Sequence, residues 1–339
     1  MKSKEEFATY SEKEIQPLIK PLEAKRLGIR EKFSFKKYKR NLKWMAIMAV
    51  ALAISIEVFP EVVPKQFIAA VPITALYALI APIYILIKRN GGFNPINKEY
   101  KKTAIPKILS FFGGTLEYKS SEGISKKEFI DGDLFDRPSN FESEDLVQGH
   151  LNGIDIRMSD VRCTQSSTSR NNWTGRIERN TTSKSNTHTV FQGLYAIAKQ
   201  KRSFPSRVTL ISVNIVTKAI NNLASSFLSS QLIEKIHEKL ETNIIKTGNE
   251  AFDKLYSVKC IDEGIAKSLL TPVFIQLIMA FRKEIVSPVD FSFFDNEVHI
   301  AFHGVNLFEA DAQKSFIENN ISAEYFGYIN MTFGIAEAV

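Results

Sequence analysis

Two stretches near the N-terminus lose the alternation of apolar and polar positions that marks the rest of the chain. Residues Trp44 to Phe59 are apolar apart from Ser55 and Glu57, and Phe67 to Ile87 carry no charge in 21 residues. At 1.5 Å per helical residue the second run reaches about 30 Å, the thickness of a bilayer hydrocarbon core. The first reaches roughly 24 Å and needs Val62 and Val63, or local thinning of the bilayer, to complete a crossing. Pro60 and Pro64 break the helices at the turn between them, and Pro72 and Pro82 within the second run are better tolerated in lipid than in water. The pattern predicts a transmembrane helical hairpin over 44–87. A re-entrant hairpin and a buried hairpin of a soluble protein are the other arrangements it allows. Upstream, Ile15, Leu18, Ile19 and Leu22 recur at helical spacing, with Ser11 and Glu14 placed as a capping box and Pro17 and Pro21 limiting the helix.

Downstream the periods are those of a mixed fold. After a break at Gly91-Gly92, Tyr100 to Phe112 places Ile105, Ile108, Leu109 and Phe112 on one helical side, ended by Gly113-Gly114. Thr115 to Tyr118 reads as a short strand, Ser125 opens a brief helix through Phe129, and Leu146 to Val161 reads as two strands turning at Asn152-Gly153. Residues 163–189, dominated by Ser, Thr, Asn and Arg, hold too few large apolar side chains to bury and read as a mobile polar loop. Val190 to Ala198 and Arg207 to Val213 follow as strands, Ile215 to Ile245 as helix, and Gly264 to Glu284 as the core helix. Val289 to Phe294 and Val298 to His303 form a last hairpin across Asp295-Asn296-Glu297. Strands grouped around helices without regular βα alternation predict an α+β fold, a mainly antiparallel sheet with packed helices, preceded by the hairpin. The expected organisation is a basic tail at 1–43, the hairpin at 44–87, and an α+β domain at 88–339.

Charge sharpens the membrane reading and weakens others. The net charge is +7, and residues 1–43 hold 13 Lys+Arg against 6 Asp+Glu, so the whole excess sits in the tail. A nucleic-acid module carries its positive charge on the folded part that docks; here that part is close to neutral, and no nucleic-acid partner is expected. The basic residues instead bracket the apolar runs: Lys36, Lys37, Lys39, Arg40 and Lys43 before the first, Lys88 and Arg89 after the second, and Lys65 alone between them. This asymmetry places both ends inside the cytoplasm, in a bacterium at the inner membrane, with Trp44, Phe59, Phe67 and Ile87 bounding the anchor. Phe33, Phe35 and Tyr38 interleave with the first basic cluster as expected of a segment on anionic headgroups, where each basic residue contributes about 1 kcal/mol. The two cysteines, Cys163 and Cys260, read as reduced thiols.

Candidate chemistry is sparse. His299 and His303 alternate with Val298, Ile300 and Phe302, so they lie on a strand roughly 13 Å apart, beyond sharing one ion, and read as exposed-face residues. Asp131, Asp133 and Asp136 lack the ligand spacing of a calcium loop and read as a turn flanking a helix. Cys163 or Cys260 paired with His150, His188 or His237 is a thiol arrangement without a spacing signature. There is no nucleophile elbow, phosphate-binding lysine loop or dinucleotide fingerprint. Neither a cofactor nor a metal is expected. Gly193 would permit a bulge or a close backbone approach within a strand, and Thr271 is placed to start a helix with Pro272 at its first position.

Several stretches resemble the bacterial domain-of-unknown-function family numbered 3137: ISKKEFIDGDLF, EDLVQGHLNGIDIRMSDV, FQGLYAIAK, FDKLYSVKCIDEGIAKSLLTP and FSFFDNEVHIAF, between Tyr100 and Phe302. The positions carrying the resemblance include Asp145, Gly149, Phe191, Gly193, Asp262, Thr271 and Pro272, and read physically as structural. The resemblance implies an N-terminal membrane hairpin ahead of an α+β domain and brings no established activity. A membrane-anchored binding or scaffold module with a protein partner is the leading expectation. A membrane-proximal, hydrolase-like enzyme and a secreted effector inserting into a host membrane stay open.

Overall fold

The computed structural model describes residues 2–33, 35–58, 70–168, 185–213, 244–285, 287–309, 314–317 and 321–339. The chain divides into two compact units, one formed by Met1–Glu12, Ile105–Glu309 and Ile321–Val339, the other by Lys13–Ala104 and Ala310–Asn320.

The second unit is helical. It holds α2 (Gln16–Lys32), α3 (Phe35–Val58) and the larger part of α4 (Ala70–Phe112). Ile19 and Leu22 of α2 are buried, as are Phe93, Ile96 and Tyr100 of α4, and Phe316 in the stretch 314–317. Two expectations are corrected here. Pro21 lies inside α2 rather than limiting it, because its cost is confined to the one bond its missing N–H forgoes, plus local strain. Gly91-Gly92 does not break α4, which continues through both; a Cβ on Gly92 would stand 3.2 Å from Ile29 Cγ2, so the glycine serves helix-to-helix contact. Glu23 is the polar centre of this unit. It accepts from Arg26 Nε at 2.8 Å and Nη2 at 2.7 Å, from Ser315 Oγ at 3.0 Å and from the Phe316 amide at 3.1 Å. Those bonds, the Arg26 bonds first, hold the Glu23 carboxyl below its ordinary range against the opposing effect of burial.

The first unit begins with α1 (Lys4–Tyr10), where the capping box falls on Ser3 and Glu6. The expected box at Ser11 and Glu14 is not formed: Ser11 opens a π-helical turn, and its hydroxyl meets that of Ser322 at 3.1 Å. The body is one antiparallel sheet of β1 (Glu117–Lys119), β2 (Asn140–Leu151), β3 (Ile154–Thr168), β4 (Ser185–Ser212), β5 (Ile244–Ile245), β6 (Tyr256–Cys260) and β7 (Val289–His303). β2 and β3 turn at Asn152-Gly153, both with positive φ, as read from the sequence. β3 continues to Thr168 and β4 starts at Ser185, so strands extend into both ends of the segment expected as loop; its middle, 169–184, lies outside the described residues. Residues 214–243, most of the expected helix at 215–245, also lie outside them, and Ile244–Ile245 are strand.

β7 is folded back on itself. A straight strand of its length holds its ends roughly 45 Å apart, yet the Pro288 carbonyl accepts from the His303 amide at 2.9 Å. Asp295, with φ of 53°, stands at the bend, where the sequence placed the hairpin turn. The two arms pair with two arms of β4: Gly193 to Lys199 run against 303 to 297, and Phe204 to Leu210 against 295 to 291, with register shifts between. The two strands expected at 190–198 and 207–213 are thus arms of one continuous β4 that encloses the β7 hairpin. Since β3 borders the first arm and β6 the second, β7 occupies the middle of the sheet. Both arms of β7 are buried at almost every position, leaving residues 294–297 of the bend and the last residue, His303, less covered.

One face of the sheet packs on α5 (Lys126–Asp131) through Phe129, Val161, Cys163, Phe191, Tyr195 and Ala301. The other receives α9 (Ile321–Ala338), where Tyr328 meets Phe302 edge-on at 5.1 Å. α6 (Glu250–Asp253) precedes β6, and Phe252 packs on Tyr256 at 5.1 Å. The expected core helix at 264–284 is two helices, α7 (Glu263–Leu269) and α8 (Pro272–Glu284), bent by 65°. Pro272 forces the break, Thr271 Oγ1 accepts from the Phe274 amide at 3.2 Å as N-cap, and Phe274, Ile275, Ile278 and Phe281 are buried on one side of α8. Thr271→Ala is expected to cost about 1 kcal/mol, read as a lowered thermal midpoint with unchanged helix content.

Candidate functional site

Residues Glu142 to Glu144, Asp160 to Arg162, Gln192, Gly193, Val305, Asn306 and Glu309 line a cleft of about 430 Å³. Its floor comes from strand register. Glu142 faces Arg162, Glu144 faces Asp160, and Arg162 faces Gln192 across neighbouring strands, so these side chains share one face by strict alternation. Its wall is the segment after β7, which turns at Gly304 with φ of 70° and is fixed to the sheet by Asp160. The Asp160 carboxylate accepts from the Leu307 amide at 3.3 Å and the Phe308 amide at 3.2 Å. Phe308, fully buried, stacks on Tyr118 at 5.8 Å and meets Tyr325 edge-on at 5.7 Å.

Asp145 ends the floor. It is buried with φ of 63° where the β2–β3 register shifts between Glu144 and Val147, the conformation of a bulge that bends β2. Its carboxylate accepts from the Tyr118 hydroxyl; burial first, then that bond, push the Tyr118 phenol up, so it stays a donor. Gly193 lies where β4 meets β7: a Cβ there would stand 2.0 Å from the Phe302 carbonyl oxygen, the close approach its sequence position allowed. Gly149 does the same for β2 against Thr115, whose carbonyl oxygen a Cβ would approach to 2.3 Å. Phe191 is core, in stacked contact with Phe135 at 4.7 Å. Asp262 caps α7 by accepting from the amides of Gly264 and Ile265, and Thr271 and Pro272 open α8. Of these seven positions, Gly193 lines the cleft, Asp145 adjoins it, and the other five act elsewhere in the fold.

The histidines correct a further expectation. His299 is 2% exposed, not on an open face. Its Nδ1 lies 3.1 Å from the Tyr195 hydroxyl and its Nε2 3.3 Å from Glu297, whose carboxyl this contact lowers. Gly132 covers the pair so tightly that a Cβ would fall 2.0 Å from Tyr195 Oη. His303 Nε2 meets the buried Asp290 carboxylate at 2.7 Å, and Asp290 also accepts from the Ser212 amide at 2.7 Å. Asp131, Gly132 and Asp133 flank a helix end, as expected: Arg207 donates to the carbonyls of Asp131 and Gly132 and to Ser292 Oγ, and lies over the Phe294 ring at 4.2 Å. Both cysteines are free and buried, and burial pushes the Cys163 thiol up to about 12, opposite to an activated nucleophile. Among the described residues no three His, Cys, Asp or Glu side chains are grouped to hold a metal ion.

The cleft residues Glu142, Arg162 and Gln192 were not singled out from the sequence. Counting outward from the Asn152-Gly153 turn would pair Glu144 with Val161 and Glu142 with Cys163; the bulge at Asp145 shifts the register by one residue and brings Glu142 to Arg162 and Glu144 to Asp160, which the turn alone does not reveal.

The anchor positions divide. Trp44 and Ile87 are each 64% exposed, on α3 and α4; Phe59 and Phe67 lie outside the described residues, as does the turn between the runs. Lys36, Lys37, Lys39, Arg40 and Lys43 belong to α3, and Lys88 and Arg89 to α4. Among the described residues no single helix is long and apolar enough to cross a membrane; the bent pair α7 and α8 reaches that length and composition together.

A family model described as protein of unknown function (DUF3137) matches residues 189–339, which include the stretches FQGLYAIAK, FDKLYSVKCIDEGIAKSLLTP and FSFFDNEVHIAF. The resemblance read from the sequence is thereby shown over that part of the chain. No curated protein matches. The crystal structure of the mycobacterial trehalose monomycolate transport factor A aligns at 8% identity over 64% of this chain and 88% of that one, with a TM-score of 0.30. A likeness that loose carries neither fold nor function.

Proposed function

We propose that this chain is a membrane-tethered binding module, held by the hairpin at 44–87 and presenting the cleft of its α+β unit to a protein partner in the cytoplasm. The observation that supports the tether is where exposed apolar surface accumulates. Of the eighteen large apolar side chains exposed among the described residues, twelve lie between Trp44 and Ile87, including Ile47, Met48, Ile54, Ile80 and Ile83. Apolar surface gathered this way marks an interaction with a membrane or a partner, and basic clusters at both ends favour the membrane. The binding role rests on a cleft whose wall is anchored to its floor by the Asp160 carboxylate.

Two measurements test the tether. The full chain expressed in bacteria is expected to stay in the membrane pellet after alkaline carbonate extraction; recovery as a monomer in detergent-free buffer would count against it. Lys65→Cys is expected to react with an impermeant maleimide from the periplasmic side and Lys2→Cys only after lysis. Labelling of both from the cytoplasmic side would make the hairpin re-entrant.

A further inference from the structure

The cleft borders an open strand edge. β1 covers β2 only at Leu146 to Gln148, so among the described residues Asn140 to Glu142 have no strand on their outer side. The covering resumes at Ser143, where Gly123 packs so closely that a Cβ would stand 2.3 Å from Ser143 Oγ. An uncovered edge offers alternate backbone N–H and C=O groups to any extended chain.

Side chains beside that edge select what pairs with it. Glu142 and Glu144 are exposed, point to the cleft side, and have no ion pair among the described residues. Asp160 is engaged by the loop amides, and Arg162 supplies the guanidinium of the lining. Glu144 also stands directly across from Asp160, and like charges in opposed strand positions destabilise a sheet. The cleft volume of about 430 Å³ accommodates one or two long side chains and no folded domain.

We propose that the cleft binds an extended segment of a partner protein, added as a strand outside Asn140–Glu142, with lysine or arginine at alternate positions entering the cleft. A strand added there directs every second side chain to the face that carries Glu142 and Glu144, so edge and charge act on the same ligand. This rests on the binding-module reading and names its ligand class.

The test is fluorescence anisotropy on the full chain in zwitterionic detergent, with a labelled peptide of alternating lysine and threonine as probe. Saturable binding is expected, weakened at least tenfold by Glu142→Gln with Glu144→Gln, and by methylating the peptide's backbone nitrogens on its pairing edge. Glu263→Gln, exposed on α7, should leave it unchanged. Absence of binding, or binding indifferent to the double substitution, overturns the proposal. Binding that survives backbone methylation overturns strand addition. If the lysine peptide fails while pull-down of the tethered chain still recovers a defined partner through another surface, the wider binding reading stands and this ligand class falls.

Discussion

Glu23→Ala is expected to destabilise the helical unit by roughly 1.5–3 kcal/mol, because it takes two charge-assisted hydrogen bonds from Arg26, which is 2% exposed. The same change removes the acceptor for Ser315 and the Phe316 amide, so hydrogen exchange should rise at 314–317 and along α2 while the sheet stays protected. Glu23→Gln keeps the volume and should fall between. The pH dependence has a definite sign. The folded-state carboxyl of Glu23 lies below its ordinary value of 4.5. Its contribution is therefore complete above that value and is lost as pH falls through the depressed folded-state pKa. Wild type should lose protection at 314–317 on acidification below pH 4.5, and Glu23→Gln should lack that acid-dependent component.

Gly193→Ala is the second large effect. The added methyl would meet a backbone oxygen at 2.0 Å rather than a side chain that can rotate away, so β4 and β7 must part locally. Overpacking of this kind costs about 3 kcal/mol or more when backbone has to move. The Gly304 amide, which donates to the Gln192 carbonyl at 2.8 Å, should then exchange faster. Val161→Ala, paired with Gly193 on the neighbouring strand and with its side chain in the core beside Phe129, provides the comparison: it removes volume, leaves the backbone pairing in place, and should leave Gly304 protected.

Elements with a period of their own were legible in the sequence. The Asn152-Gly153 hairpin, the start of α8 at Thr271-Pro272 and the fold class all follow from turn chemistry, proline geometry and alternation. The misreadings share a cause, which is that contacts distant in the chain decide them. Gly91-Gly92 looks like a helix stop until Ile29 is seen to need the space, and His299 looks exposed until Gly132 and Tyr195 close over it. α9 offered no signal because twelve of its eighteen residues are buried around its whole circumference, and a helix without a polar face has no amphipathic period to find. The candidate site was the least visible part. Its floor is polar and exposed in sequence terms, and only the pairing of three strands with the segment after β7 turns it into a cleft.

The placement of β7 between the two arms of β4 has a consequence for how the molecule is made. The centre of the sheet is supplied by residues 289–303, so the chain emerging from the ribosome carries β4 long before the segment that joins its two arms exists. Topologies that depend on such distant pairings fold slowly and leave strand edges bare in the interval. A nascent chain stopped before Val289 should therefore recruit chaperones, and one extended past His303 should begin to release them.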